Sequence, residues 1–270
     1  MFRKLQITAI LACMLSNAMA GTVSIGTASA RGSIRVDNYN VKGNATLFDG
    51  SVVETGKASA DLRLKKGVQI TLTSNSRGTM YVDHAVLQQG ASEVAASGSF
   101  QLLANGLRIT PNAPNSRATV SIKSGDTIEV ASLAGGFGVT NDHGVPLANI
   151  RPGRVVSFAM QAGANPNEFS GVGLISFDNG TYYLTTDENV RYALTCKDFQ
   201  KYVGDKVIVT GTLTGTGNQS SICVNSLDIN GPTPGSNRKK LLIAGLIIGG
   251  AVAAGIALSR SSSPLPPASR

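Results

Sequence analysis

Phe100-Gln101-Leu102-Leu103-Ala104-Asn105-Gly106-Leu107-Arg108-Ile109 reads as a β-hairpin. Apolar residues alternate on either side of Asn105-Gly106, and Asn-Gly suits a two-residue turn because both of its central positions take positive φ. The same grammar recurs outward in both directions. Leu62-Arg63-Leu64 and Val68-Gln69-Ile70-Thr71-Leu72 flank Lys65-Lys66-Gly67. Val120-Ser121-Ile122 and Ile128-Glu129-Val130 flank Ser124-Gly125-Asp126, and Phe177 and Tyr182-Tyr183-Leu184 flank Asp178-Asn179-Gly180. Turns about every 8 to 12 residues are the rhythm of a β-sandwich or barrel. No amphipathic helix of ordinary length interrupts them, so the expected class is all-β.

The alternation stops at Gly163-Ala164-Asn165-Pro166-Asn167, which divides the body into residues 21–162 and a smaller unit, 168–230. The larger is expected to be a β-sandwich or β-roll. The smaller reads as strands at Val172–Phe177, Tyr182–Thr186, Val190–Leu194, Val207–Leu213 and Ile222–Ile229, with a helical turn over Lys197–Tyr202. That order is similar to an OB-fold, a small barrel that binds oligonucleotides or sugars. Tyr182, Tyr183 and Tyr192 are then a possible ligand platform, against the plainer reading of aromatics that fill the barrel.

Gly32-Ser33-Ile34-Arg35-Val36, Leu47-Phe48-Asp49-Gly50-Ser51-Val52-Val53-Glu54-Thr55-Gly56 and Ala58 to Leu64 resemble the FecR-type extracytoplasmic domain, over roughly residues 30–160. The resemblance implies short stacked strands outside the cytoplasm and a part in envelope signalling. Family members that control sigma factors carry a cytoplasmic N-terminal segment followed by a membrane helix, and this chain has a different layout.

Residues 1–20 read as a secretory signal peptide: basic Arg3 and Lys4, apolar Leu5 to Leu15, and Ala18-Met19-Ala20 as the cleavage site before Gly21. Ile10-Leu11-Ala12-Cys13 faintly resembles a lipoprotein box and offers a rival. Residues 231–240 are Pro- and Gly-containing linker, ending in Arg238-Lys239-Lys240. Leu241 to Leu258 is an uncharged apolar run, and at ~1.5 Å per residue a helix of it spans roughly 27 Å, enough for one transmembrane helix. The short tail 259–270 follows it, and the expected topology leaves residues 21–240 extracytoplasmic in a bacterial cell envelope. Gly245 and Gly249 form a GxxxG pair, a possible face for a homodimer through that helix.

Charge narrows the partners. The chain carries 24 basic and 16 acidic residues. Two basic residues lie in the N-terminal segment and five in the tail, so 17 face all 16 acidic ones in the body. A net of +1 does not make a groove for a phosphate backbone, and no nucleic acid is expected. No nucleophile elbow, zinc-protease helix, Cys-x-x-Cys or P-loop is present, so no catalytic residue, cofactor or metal ligand is assigned and no enzyme is expected. His84 and His143 read as strand and loop residues, and Asp187-Glu188 as neighbours on opposite faces of a strand. Once Cys13 leaves with the signal peptide, Cys196 and Cys223 are the remaining thiols, in a compartment where disulfides persist. They are expected to pair, with two buried free thiols as the alternative. The functional expectation is a membrane-anchored binding, scaffold or signalling-associated protein that contacts the lipid bilayer and another envelope protein. The alternative is a glycan- or oligonucleotide-binding module using the OB-like barrel.

Overall fold

The computed structural model describes residues 23–123, 127–160, 167–215 and 219–229, together with the backbone of 246–249. The expected signal peptide, the linker, Gly245 and the tail lie outside those residues.

The chain is all-β. The first unit begins with β1 (Ser24–Val36), β2 (Tyr39–Phe48), β3 (Ser51–Thr55), β4 (Ser59–Leu64) and β5 (Gln69–Leu72). It continues with β6 (Arg77–Met80), β7 (His84–Gln89), β8 (Ala91–Ala96), β9 (Gln101–Ala104) and β10 (Leu107–Pro111). β11 (Ser116–Ile122), β12 (Thr127–Ala134), β13 (Phe137–Asn141), β14 (Pro146–Ile150) and β15 (Val155–Met160) complete it. The hairpin at Asn105-Gly106 forms with both residues at positive φ, 42° and 75°, and joins β9 to β10.

These strands except β2, which pairs with β1 off the path, follow one hydrogen-bonded order, β14-β13-β10-β9-β7-β6-β3-β1-β4-β5-β8-β11-β12-β15. The long β1 is its corner. Its first half pairs with β4 and its last three residues pair with β3, with a register break between Ser29 and Ser33. Gly32 sits in that break at φ 125°, and a Cβ there would lie 3.0 Å from the Ala58 side chain, so the bend needs glycine. The two arms of the path close over one apolar cluster that runs from Ile25 to Phe158. Period-two alternation does this: in β8, and in β12 as far as Ser132, every second residue is buried and those between are half-buried, which puts one face of each strand inside.

The second unit is a closed barrel of β16 (Glu168–Asp178), β17 (Thr181–Thr186), β18 (Arg191–Thr195), β19 (Lys206–Thr214) and β20 (Ser221–Asp228), in the order β16-β17-β18-β20-β19. β18 and β20 run parallel and close the wall. β16 pairs with β19 through its first half and with β17 through its second, so a single bent strand serves both sides. The helical turn expected at Lys197–Tyr202 is a 3-10 turn over Gln200–Tyr202. Phe199, just ahead of it, is buried in the barrel core.

The transmembrane helix expected over 241–258 needs correction where the structure describes it. Leu246–Gly249 is a strand, β21, antiparallel to β15, with Phe158 opposite Ile248 and Ser157 opposite Gly249. Gly249 therefore stands in a strand rather than on a helix-dimer face. Among the described residues no helix is long and apolar enough to cross a membrane. The physical reason is local: β15 would otherwise end the sheet with unpaired backbone groups, and Ile247 and Ile248 are β-branched residues that suit a strand.

Candidate functional site

The barrel and the first unit are joined. The turn between β13 and β14 places Val145 in the barrel's own apolar cluster, beside Phe169, Leu184 and Tyr192. The Tyr192 hydroxyl donates to the carbonyl of Pro146. The Asn149 amide donates to the Glu188 carbonyl at 2.8 Å, and the Asn149 side chain to the Asn189 carbonyl at 3.0 Å. Arg151 reaches the Asn189 side chain at 3.3 Å. The outer edge of β14 and one mouth of the barrel therefore cover each other.

Burial at this joint shapes its titrating groups. Loss of water raises the Glu188 carboxyl above its ordinary value, and neighbouring Asp187 adds to the rise. Burial also pushes the Tyr192 hydroxyl upward, helped by the Glu188 charge. Tyr192 is 1% exposed, so it belongs to the core and not to a ligand platform.

The other two tyrosines of the expected platform also part company. Adjacent strand residues point to opposite faces. Tyr183 lies on the outer wall, where the Arg191 guanidinium covers its ring at 3.6 Å and also donates to Asp178 at 3.0 Å. Tyr182 turns toward the barrel end, packed between Phe177 at 4.7 Å and Phe199 at 5.7 Å between ring centroids. The three rings do not share a face, and a stacking ligand on Tyr183 must first displace Arg191. Phe177 is the strand residue that the alternation suggested, near the end of β16 and paired with Tyr182, and it is 53% exposed there.

Cys196 and Cys223 form a disulfide with Cα atoms 5.2 Å apart. It lies at the parallel seam, where Thr195 of β18 is paired with Cys223 of β20.

The groups considered for catalysis are dispersed. His84 hydrogen-bonds Asp83 at 2.7 Å and stacks on Tyr81 at 4.3 Å, and that bond holds the Asp83 carboxyl below its ordinary value. His143 pairs with Asp142 at 2.6 Å in the β13–β14 turn. Asp187 is exposed and held by Lys206 at 2.9 Å, while Glu188 is half-buried at the joint. Among the described residues no three His, Cys, Asp or Glu side chains are grouped to hold a metal.

One surface was missed by reading strands singly. β2 is ten residues long, pairs with β1 on one side, and no other described strand pairs with it. Of its residues only Leu47 is buried, Tyr39 is 77% exposed, and Lys42 is its one charge. Natural edge strands are usually blocked by charges, proline or covering elements. The β14 edge is covered by the barrel and the β15 edge by β21, whereas among the described residues no element covers β2 and Lys42 is the one charge along its ten residues.

Residues 172–219 match the family model DUF5818, described as a protein of unknown function, a stretch confined to the barrel. No curated protein matches the chain.

Proposed function

We propose that this chain is an extracytoplasmic binding or scaffold protein of a bacterial envelope, tethered to a membrane and contacting another envelope protein through the open edge of β2. The edge is the observation that carries the reading: a long strand with one side that no described strand pairs offers a row of backbone donors and acceptors to an extended segment of a partner, which adds as a further strand. The FecR-type reading of residues 30–160 and the OB-type reading of the barrel belong to the same proposal, supported by the all-β architecture and by the closed five-stranded wall. The tether is residues 241–258. Its support is the uncharged run between Lys240 and Arg260, and it requires β21 to leave β15 when a bilayer is offered.

A photo-crosslinking residue at Tyr39 in the native envelope tests the partner contact. Expected is an adduct with one envelope protein, together with slowed amide exchange along β2, and no adduct from the same probe at Val82, which is also exposed. Equal adducts at both positions, or none, would refute the edge as the contact.

A second reading, glycan binding on the barrel's outer wall, is favoured by one arrangement: Arg191, held between the Tyr183 ring and Asp178, offers hydrogen-bond donors to sugar hydroxyls and uncovers an aromatic face when it swings off the ring. Loss of glycan-array signal in Arg191→Ala is the corresponding measurement.

A further inference from the structure

We infer that the barrel end bearing Phe177, Tyr182 and Val203 rests on the lipid–water interface of the membrane that tethers the chain. The inference depends on the membrane tether proposed above.

The rim is apolar and open. Phe177 and Val203 are 53% and 45% exposed, and Tyr182 is half-buried against Phe177. The hairpin and the loop after the 3-10 turn meet there. Phe199 packs on Tyr182, and the backbone of Gly204 and Asp205 bonds Ile175, two residues before Phe177. Three of the nearby polar groups are engaged, Asp178 by Arg191, Asp198 by the Gln200 amide and Lys197 by the Asn225 carbonyl, and Asp205 stands two residues from Val203. Lys201 lies over the Tyr202 ring at 4.8 Å. Aromatic rings with an apolar body and a wet end, interleaved with lysines, favour the headgroup boundary of a bilayer.

What selects a lipid surface over another occupant is the course of the chain. β20 runs toward this end: Asp228 pairs with Ile208, so Ile229, 54% exposed, emerges near Lys206 and the Val203 loop. The opposite mouth is closed by Val145. From Ile229 the residues 230–240 lead to the apolar run, and eleven residues reach at most roughly 36 Å when extended. Arg238, Lys239 and Lys240 stand directly before that run. With β21 released from β15, as the tether requires, the chain leaves the barrel on the side of the open rim and not of the closed mouth.

The chain has no tryptophan, so a single introduced one reports its own surroundings. Full-length protein carrying Phe177→Trp, Val203→Trp or Val82→Trp is reconstituted into vesicles of phosphatidylethanolamine and phosphatidylglycerol, with and without brominated acyl chains, and floated on a density gradient. Expected is co-flotation, with blue-shifted emission that brominated lipid quenches at positions 177 and 203 and neither effect at position 82. Co-flotation with emission at 177 and 203 as unshifted as at 82 overturns the lipid contact and leaves the tether standing. A blue shift without bromine quenching means that protein covers the rim, and overturns it also. Failure to float overturns both readings.

Discussion

Replacing Cys196 and Cys223 together by serine removes the one covalent bond across the barrel's seam. That seam is short: β18 and β20 share the pairs Ala193 with Ser221, Leu194 with Ile222 and Thr195 with Cys223. The bond closes a loop spanning a separation of 27 residues that contains all of β19. In the chain-entropy account, restoring freedom to an unfolded loop of that size costs about 3–4 kcal/mol of stability. Cys196 also holds φ 74°, a left-handed conformation that costs a non-glycine residue about 1–2 kcal/mol. The serine variant has a left-handed residue at that position with no covalent bond to hold it, and relaxing it loosens the end of β18. A unit of some sixty residues has a total stability of roughly 3–9 kcal/mol, so the loss is a large share of the whole. Urea unfolding followed by tyrosine circular dichroism reads it out, because Tyr182, Tyr183, Tyr192 and Tyr202 belong to the barrel and only Tyr39 and Tyr81 to the first unit. Expected is a lower midpoint in that signal for the double variant, and the same shift on reducing the wild type. An unchanged midpoint, or two alkylated cysteines in protein isolated without reductant, would refute the reasoning.

Tyr192→Phe deletes the hydroxyl that bonds Pro146 while keeping the ring, so a loss of about 0.5–1.5 kcal/mol is expected on denaturant unfolding, with faster proteolysis between the two units. The Glu188 carboxyl titrates above its ordinary 4.5 because burial disfavours its charge, so the folded protein holds that proton more tightly than the unfolded chain does. Its contribution to stability is present below the unfolded value and is lost as pH rises through the folded one. Glu188→Gln should therefore gain stability on the wild type with increasing pH across that window, and identical pH profiles for the two proteins would contradict it.

Much of this architecture can be read along the chain. The all-β class, the hairpin at Asn105-Gly106 and the five strands of the barrel follow from period-two alternation and turn residues, because each of these is set by neighbours in sequence. Pairing Cys196 with Cys223 followed from counting thiols. The platform of Tyr182, Tyr183 and Tyr192 did not survive, although the pleat already says that 182 and 183 diverge; whether Tyr192 faces the core or water depends on Val145 and Pro146, some 46 residues earlier, which fill the mouth above it. Phe177 and Tyr182 look alike as alternating aromatics, yet only closure of the barrel end decides that one is packed and the other exposed.

The apolar run 241–258 shows the limit most plainly. Its composition alone marks a segment that must leave water, and says nothing of what will receive it. A bilayer demands a helix that satisfies its own backbone, whereas an open sheet edge at β15 satisfies Leu246–Gly249 as a strand. Local alternation determines which residues form strands; the long-range order of those strands decides which edges remain free, and β2 is an exposed surface only because β1 turns its other side to β3 and β4.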